Sequence, residues 1–258
     1  MRQSIVFFII ICIVMAGTAL AAAKTPEAEA AAAANDDYEV DTFQTSGGEL
    51  KIHFLGHGTL YFEFGDKVIH VDPIYRYADY KKMPKADLIL VTHEHGDHLD
   101  QKAIEDVTKE NTVTILTEKC QESVSAGQVM KNGDTQTAQG IKIEAVPAYN
   151  IVNKRRGDIP FHLKGEGNGY ILTFGDKRIY VAGDTEDTPE MKALTAIDIA
   201  FLPMNLPYTM SPEMVADAAK AFRPKVLYPY HFGNTDTSKL VELLKDEPDI
   251  EVRIRNMQ

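Results

Sequence analysis

Phe64-Gly65-Asp66-Lys67-Val68-Ile69-His70-Val71-Asp72 reads as the end of one strand, a Gly-Asp turn and a second strand closing on an aspartate. That is the sequence form of a β-hairpin. The phrase returns as Phe174-Gly175-Asp176-Lys177-Arg178-Ile179-Tyr180-Val181, running on to Asp184. The echo extends outward: Asp87-Leu88-Ile89-Leu90-Val91 begins 15 residues after Asp72, and Asp198-Ile199-Ala200-Phe201-Leu202 begins 14 after Asp184. A helix is predicted after each, over Asp97 to Lys109 and over Ser211 to Phe222, the second with a Ser cap and Pro212 in its first turn. Apolar strands come next in both halves, Thr112 to Leu116 and Lys225 to Tyr230. Four successive elements at near-constant spacing define two half-repeats. Near-continuous apolar strands such as Ile89-Leu90-Val91 suit sheets buried on both faces. The expected architecture is α+β, two sheets face to face with helices outside.

Composition narrows the function. The chain has 258 residues, 44% hydrophobic and 25% charged, the balance of a globular protein. Its net charge of −11 repels polyanions, so no nucleic-acid partner is expected. Two cysteines, Cys12 and Cys120, do not make a disulfide scaffold. Arg2, the uncharged run Ile5 to Met15 and the small residues Ala19-Leu20-Ala21 form a signal-peptide pattern over 1–21. This predicts an exported protein, periplasmic or secreted. The run is shorter than the ~20 residues that span a bilayer, so membrane association is expected only through an uncleaved N-terminal segment. Residues 22–37, rich in Ala and Glu, read as a flexible linker, leaving 38–258 as one folded body.

The chemistry concentrates in Val91-Thr92-His93-Glu94-His95-Gly96-Asp97-His98-Leu99-Asp100. At a strand end, residues i and i+2 point to one side, so His93 and His95 can reach one ion. Asp97 and His98 are expected at the start of a helix, displaced toward a second position. Three histidines this close would each need a partner if buried, which disfavours a merely structural role. Imidazole and carboxylate without thiolate suit zinc, one or two ions, with manganese and iron as the alternatives.

The His93-x-His95-x-Asp97-His98 motif after a D-Φ-Φ-Φ-Φ-Thr strand resembles the metallo-β-lactamase superfamily. The resemblance covers the whole body. It includes Asp72-Pro73, Ala182-Gly183-Asp184-Thr185, Pro229-Tyr230-His231-Phe232-Gly233 and Leu55-Gly56-His57-Gly58. These segments look like the branch of ascorbate-phosphate lactonases and N-acyl-phosphatidylethanolamine phospholipase D. The resemblance implies a four-layer αββα sandwich and a hydrolase that uses a metal-activated hydroxide on an ester-like bond, a phosphodiester, lactone or related ester. It assigns His93 and His95 plus a third ligand to one metal, and Asp97, His98 and His231 to the other, with Asp184 between them. Asp97 and His57 are the candidate catalytic residues, His57 as proton donor to the leaving group. Asp72 resembles the aspartate that orients a ligand histidine from behind.

One position departs from the family pattern. A histidine is expected directly after Val146-Pro147-Ala148, where Tyr149 and Asn150 stand instead. His162, in the loop that follows, is the candidate replacement. The departure also motivates an alternative, a non-catalytic or mononuclear metal-binding or sensing module on the same fold. Lys154-Arg155-Arg156 could steer a small anionic substrate toward the metals. His53 and His70, in strands, read as structural, and Cys120 as an inert thiol on a helix.

Overall fold

The computed structural model describes residues 38–258. Strands β1 (Glu39–Thr45), β2 (Gly48–Gly56), β3 (Thr59–Phe64), β4 (Lys67–Val71), β5 (Leu88–Leu90), β6 (Val113–Leu116) and β7 (Gln128–Val129) make one sheet in that order. A small hairpin, β10 (Lys154–Arg155) with β11 (Ile159–Pro160), interrupts the second sheet's sequence. That sheet uses β8 (Thr135–Ala138), β9 (Ile141–Ala148), β12 (Gly167–Phe174), β13 (Lys177–Val181), β14 (Ile199–Pro203), β15 (Val226–Tyr230) and β16 (Glu251–Val252), in the order β16-β15-β14-β13-β12-β9-β8.

The sequence repeat is a structural repeat. Phe64 pairs with Lys67 and Phe174 with Lys177 across two-residue turns. Gly65 and Gly175 open these turns at φ 61° and 58°, values a glycine takes without a Cβ penalty. In each half the hairpin's second strand continues into parallel pairing, β4 with β5 and β6, and β13 with β14 and β15. The aspartates before β5 and β14 do the same work. Asp87 accepts a hydrogen bond from the Val68 amide at 3.0 Å, and Asp198 from the Arg178 amide at 2.9 Å, locking register in both sheets.

Helices α1 (Gln101–Val107), α2 (Glu118–Gln121), α3 (Pro189–Lys192), α4 (Pro212–Phe222) and α5 (Ser238–Leu243) complete the described elements. Alternation along β5 assigns its two faces: Leu88 and Leu90 enter the core between the sheets, while Ile89 joins the outer cluster with Ala103, Ile104 and Val107 of α1. Between the sheets, Phe62 meets Phe174 at 5.4 Å and Phe54 meets Phe201 at 6.1 Å between ring centroids. On the far side α4 buries Val215, Ala218, Ala219 and Phe222 against the second sheet. Helix, sheet, sheet, helix is the αββα sandwich expected.

Two expectations need correction. The first helix starts later than predicted, because Asp100 is its cap, accepting from the Lys102 and Ala103 amides; Asp97 and His98 lie before it, in a turn. The signal peptide predicted over 1–21 and the linker over 22–37 lie outside the described residues. Among the described residues no signal-like segment occurs and no helix is long and apolar enough to cross a membrane. The secreted and periplasmic assignment therefore stands unsupported and is withdrawn. The second helix begins as read, with Ser211 capping the Met214 amide.

Candidate metal centre

The cluster forms where strands of both sheets end. Asp72 follows β4, His93 to His98 follow β5, Asp184 follows β13 and His231 follows β15, while His57 and Gly58 sit in the β2–β3 turn. Asp72, His57 and His231 take positive φ values of 45°, 54° and 49°. Such strained backbone persists where the surroundings over-determine it, and it collects at functional sites. The Gly58 position has no room for a side chain, since a Cβ there would come within 2.6 Å of the His98 ring.

Three groups of side chains each bring their ligand atoms within 4.8 Å of one another: His57, Asp97, His98 and His231; His93, His95 and His162; and His93, His98 and Asp184. Asp184 stands at the junction. Its Oδ1 is 3.4 Å from His98 Nε2, and its Oδ2 is 3.4 Å from His162 Nε2 and 3.3 Å from His231 Nε2. His162, and not Tyr149, is the side chain that stands beside His93 and His95. Asn150 holds it, its Oδ1 accepting from the His162 amide at 2.9 Å and lying 2.7 Å from Nδ1. Tyr149 turns away and donates to Glu190.

Behind the cluster, Asp72 is fully buried and accepts from the Thr92 amide at 2.8 Å and from Thr92 Oγ1 at 2.7 Å, with His98 Nδ1 at 2.7 Å. Thr92 Oγ1 lies 3.0 Å from His93 Nδ1. Both imidazoles are therefore anchored through Nδ1, which leaves Nε2 facing inward.

Several inward atoms have nothing to bond. His93 Nε2, His98 Nε2, Asp184 Oδ1 and both ring nitrogens of His231 are buried without a hydrogen-bond partner among the described residues. Buried polar atoms are rarely left so, and four of these, His93 Nε2, His98 Nε2, His231 Nε2 and Asp184 Oδ1, lie where a cation would take their lone pairs. The electrostatics agree. Burial drives the His93 imidazole well below its ordinary value, and His162 down to about 4. Burial would raise Asp184 and Asp97, but neighbouring histidines outweigh it and hold both carboxyls low, with His231 Nε2 at 3.6 Å and His57 Nε2 at 3.2 Å from Asp97 Oδ2. Neutral imidazoles beside ionised carboxylates are the ligating forms. His98 is the exception: burial opposes its charge, yet Asp184 and the bond to Asp72 hold it up at about 9. Without a cation, that proton supplies the positive charge the carboxylates require.

A cavity of about 410 Å³ opens over the cluster, lined by His57, His95, Asp97, Arg155, Phe161, His162, Asp184, Asn205, Tyr208 and His231. Of the basic run, Arg155 faces this cavity, while Lys154 pairs with Asp158. Phe161 and Tyr208 meet edge to face at 5.1 Å, joining the two loops at its mouth. His57, in a turn, is mostly buried: its ring lies 3.7 Å from that of His231, and its Nε2 is 3.2 Å from Asp97 Oδ2. His70 is structural as read, buried with Nε2 on the Pro84 carbonyl at 3.0 Å, and Cys120 is a buried free thiol on α2.

A family model described as the beta-lactamase superfamily domain matches residues 51–231. The chain belongs to the metallo-β-lactamase superfamily. Within it, a curated relative from Pelotomaculum thermopropionicum, the UPF0173 metal-dependent hydrolase, is 32% identical over 194 residues, covering 71% of this chain and 85% of the relative. A crystal structure from Parabacteroides distasonis, provisionally assigned as a metal-dependent hydrolase, is 52% identical with a TM-score of 0.82, covering 86% of this chain and all of that one. Igni18, a metallo hydrolase from Ignicoccus hospitalis, is 25% identical with a TM-score of 0.66, over 80% of this chain and 94% of that one. This superfamily member is a metal-dependent hydrolase. The narrower resemblance to ascorbate-phosphate lactonases and N-acyl-phosphatidylethanolamine phospholipase D gains no support from these relatives, none of which carries either name.

Sequence reasoning missed Asn150, Glu186 and Asn205. The first two act on backbone amides and a neighbouring ring, and Asn205 lines the cavity from a loop, so none leaves a spacing signal.

Proposed function

We propose that the chain hydrolyses an ester-like bond, a phosphodiester, lactone or related ester, in a small anionic molecule. Two cations, zinc in this reading, would be held by His93, His95 and His162 on one side and by Asp97, His98 and His231 on the other, with Asp184 between them. The observation that carries the reading is the set of buried, unpartnered ring nitrogens converging on Asp184. Bound there, zinc supplies Lewis acidity, polarising the scissile group and bringing the pKa of water from 15.7 to near 7.

The chain's own residues do the rest. Asp72 and Thr92 fix the orientation of His98 and His93. His57 faces the cavity with Nε2 3.2 Å from Asp97 Oδ2; in its imidazolium form it would hold there a proton within reach of a leaving oxygen and return to neutral imidazole on giving it up. Asp97 in turn is the carboxylate that can take a proton from the attacking water. Arg155 offers the cavity a fixed cation for an anionic group, and Phe161 with Tyr208 gives it an apolar wall. In this proposal His162 serves as the third ligand that Tyr149 does not supply, which removes the motive for a non-catalytic reading.

The test is turnover of phosphodiesters, lactones, thioesters and simple esters by purified protein, before and after chelation, with elemental analysis alongside. Metal-dependent turnover that His231→Ala abolishes without loss of fold supports the proposal. Tightly bound metal with no metal-dependent turnover on any class refutes it.

A further inference from the structure

Exposed apolar side chains are unevenly spread over the surface. Of the nine large ones exposed among the described residues, six stand on the two segments that flank the metal cavity: Ile151, Val152, Ile159 and Leu163 on one, Leu206 and Tyr208 on the other. The remaining three, Val40, Val241 and Ile254, lie on β1, on α5 and near the C-terminus. A single exposed hydrophobe needs no explanation, whereas a cluster of them marks a binding surface.

Backbone bonds hold the two segments in this pose. The Ile151 and Val152 amides at 2.7 Å and the Asn153 amide at 2.6 Å all donate to the buried Glu186 carboxylate. Val152 is thus 71% exposed on a pinned backbone. Asn150 Nδ2 donates to the Tyr208 carbonyl at 2.9 Å and Asn153 Nδ2 to the Thr209 carbonyl at 3.1 Å, which stitches one segment to the other.

The β10–β11 ribbon gives the apolar strip its direction. Arg155 and Ile159 are direct partners, so their side chains share a face, and Phe161, two residues on, continues it. Arg155 and Phe161 line the cavity, which puts Ile159 on the cavity side of the ribbon. Arg155 donates to the Pro160 carbonyl at 3.4 Å and the Phe161 carbonyl at 3.1 Å, and it forms no ion pair among the described residues. Its charge is held in place and left unneutralised. Metal cluster, free cation and apolar strip therefore follow one another from the cavity outward, in the order of an amphiphile's head and tail.

We propose that the substrate is a dissolved amphiphile, an anionic ester whose apolar chain leaves the cavity past Phe161 and Tyr208 and lies along Ile159; this rests on the reading of the cluster as a hydrolytic centre. Charge favours a dissolved molecule over an anionic lipid surface. Lys154 and Lys164, beside the strip, are paired with Asp158 and Glu190, and the chain carries a net charge of −11. Surfaces that dock on anionic membranes present clusters of unpaired cations instead.

Calorimetry on the zinc-loaded protein tests this, with methyl-, butyl-, hexyl- and octylphosphonate as non-hydrolysable probes held below their aggregation limits. A fully buried methylene is worth about fourfold in affinity, and one lying half-exposed along a groove about twofold. Octylphosphonate is therefore expected to bind about 16-fold more tightly than butylphosphonate. Ile159→Ser combined with Tyr208→Ser should cut that ratio to about twofold or less. Both side chains are about half exposed, so the fold does not depend on them. Arg155→Ala should weaken every member of the series alike, which separates head from chain. Affinity that ignores chain length, with methylphosphonate bound, overturns the proposal and leaves the hydrolytic reading standing. Flotation with phosphatidylglycerol vesicles, or a dimer in sedimentation, would then give the strip to a lipid surface or to a second copy. A chain-length gain that survives Ile159→Ser with Tyr208→Ser also overturns the proposal. Failure of protein shown to hold zinc to bind any phosphonate overturns both readings.

Discussion

Asp72→Asn is the substitution that asks most of the site while changing least of its shape. Asp72 takes φ 45°, a conformation asparagine tolerates well, so the backbone has no reason to move. One of its oxygens accepts from the Thr92 amide, and the other from Thr92 Oγ1 with His98 Nδ1 at 2.7 Å. A carboxamide has one acceptor oxygen and a donor nitrogen. Whichever way it turns, a buried donor faces a donor, unless His98 moves its proton from Nδ1 to Nε2 and accepts instead. That relief removes the inward lone pair. Substituting a residue that orients a ligand histidine costs about 10- to 100-fold in metal affinity, or about 1.4 to 2.7 kcal/mol. The assay is competition for zinc between the protein and a chromophoric chelator at fixed pH, with circular dichroism to verify the fold. A folded Asp72→Asn protein with native zinc affinity would refute the reasoning that orientation through Nδ1 makes His98 a ligand.

Arg155→Ala should raise KM for an anionic substrate about tenfold while leaving kcat in place, since a charge-assisted bond made equally in ground and transition states is lost; steady-state kinetics checks the split. Chelation should lower Tm, and zinc at about 100 times its dissociation constant should restore about 2.7 kcal/mol, read by calorimetry. On β1, burial would raise Asp41, but hydrogen bonds from Tyr228, Arg255 and Arg253 hold its carboxyl below the ordinary 3.8. That stability is present above pH 3.8 and is lost as pH falls through the lower value held in the fold. Asp41→Asn should therefore reduce Tm near neutrality, and the gap from the native chain should narrow in acid, as thermal melts across pH would record.

Fold and site were legible to different depths. The two hairpins could be read because a two-residue glycine-first turn leaves a local signature, and the aspartates that lock register stand at matching offsets. The His93 to His98 segment could be read because a metal site built on one strand end needs fixed spacing. The helix start was misplaced because Asp97 and His98 looked like a capped first turn, whereas the cap is Asp100 and the earlier side chains are turned toward the site. His162 was reachable only by elimination. It comes from a loop whose shape depends on Glu186 bonding to backbone amides, and amides look the same in every sequence. Pairing of the two halves, which brings Asp184 and His231 to the strand that bears His93, follows from the sheets packing together and leaves no local mark.

The most direct test is an anomalous-difference map recorded at the zinc edge from crystals of the protein soaked in zinc. Two peaks about 3.5 to 4 Å apart are predicted, one beside His93, His95 and His162, the other beside Asp97, His98 and His231, with Asp184 between them. Zinc bound elsewhere, or a map empty at these side chains while they remain ordered, would contradict the account.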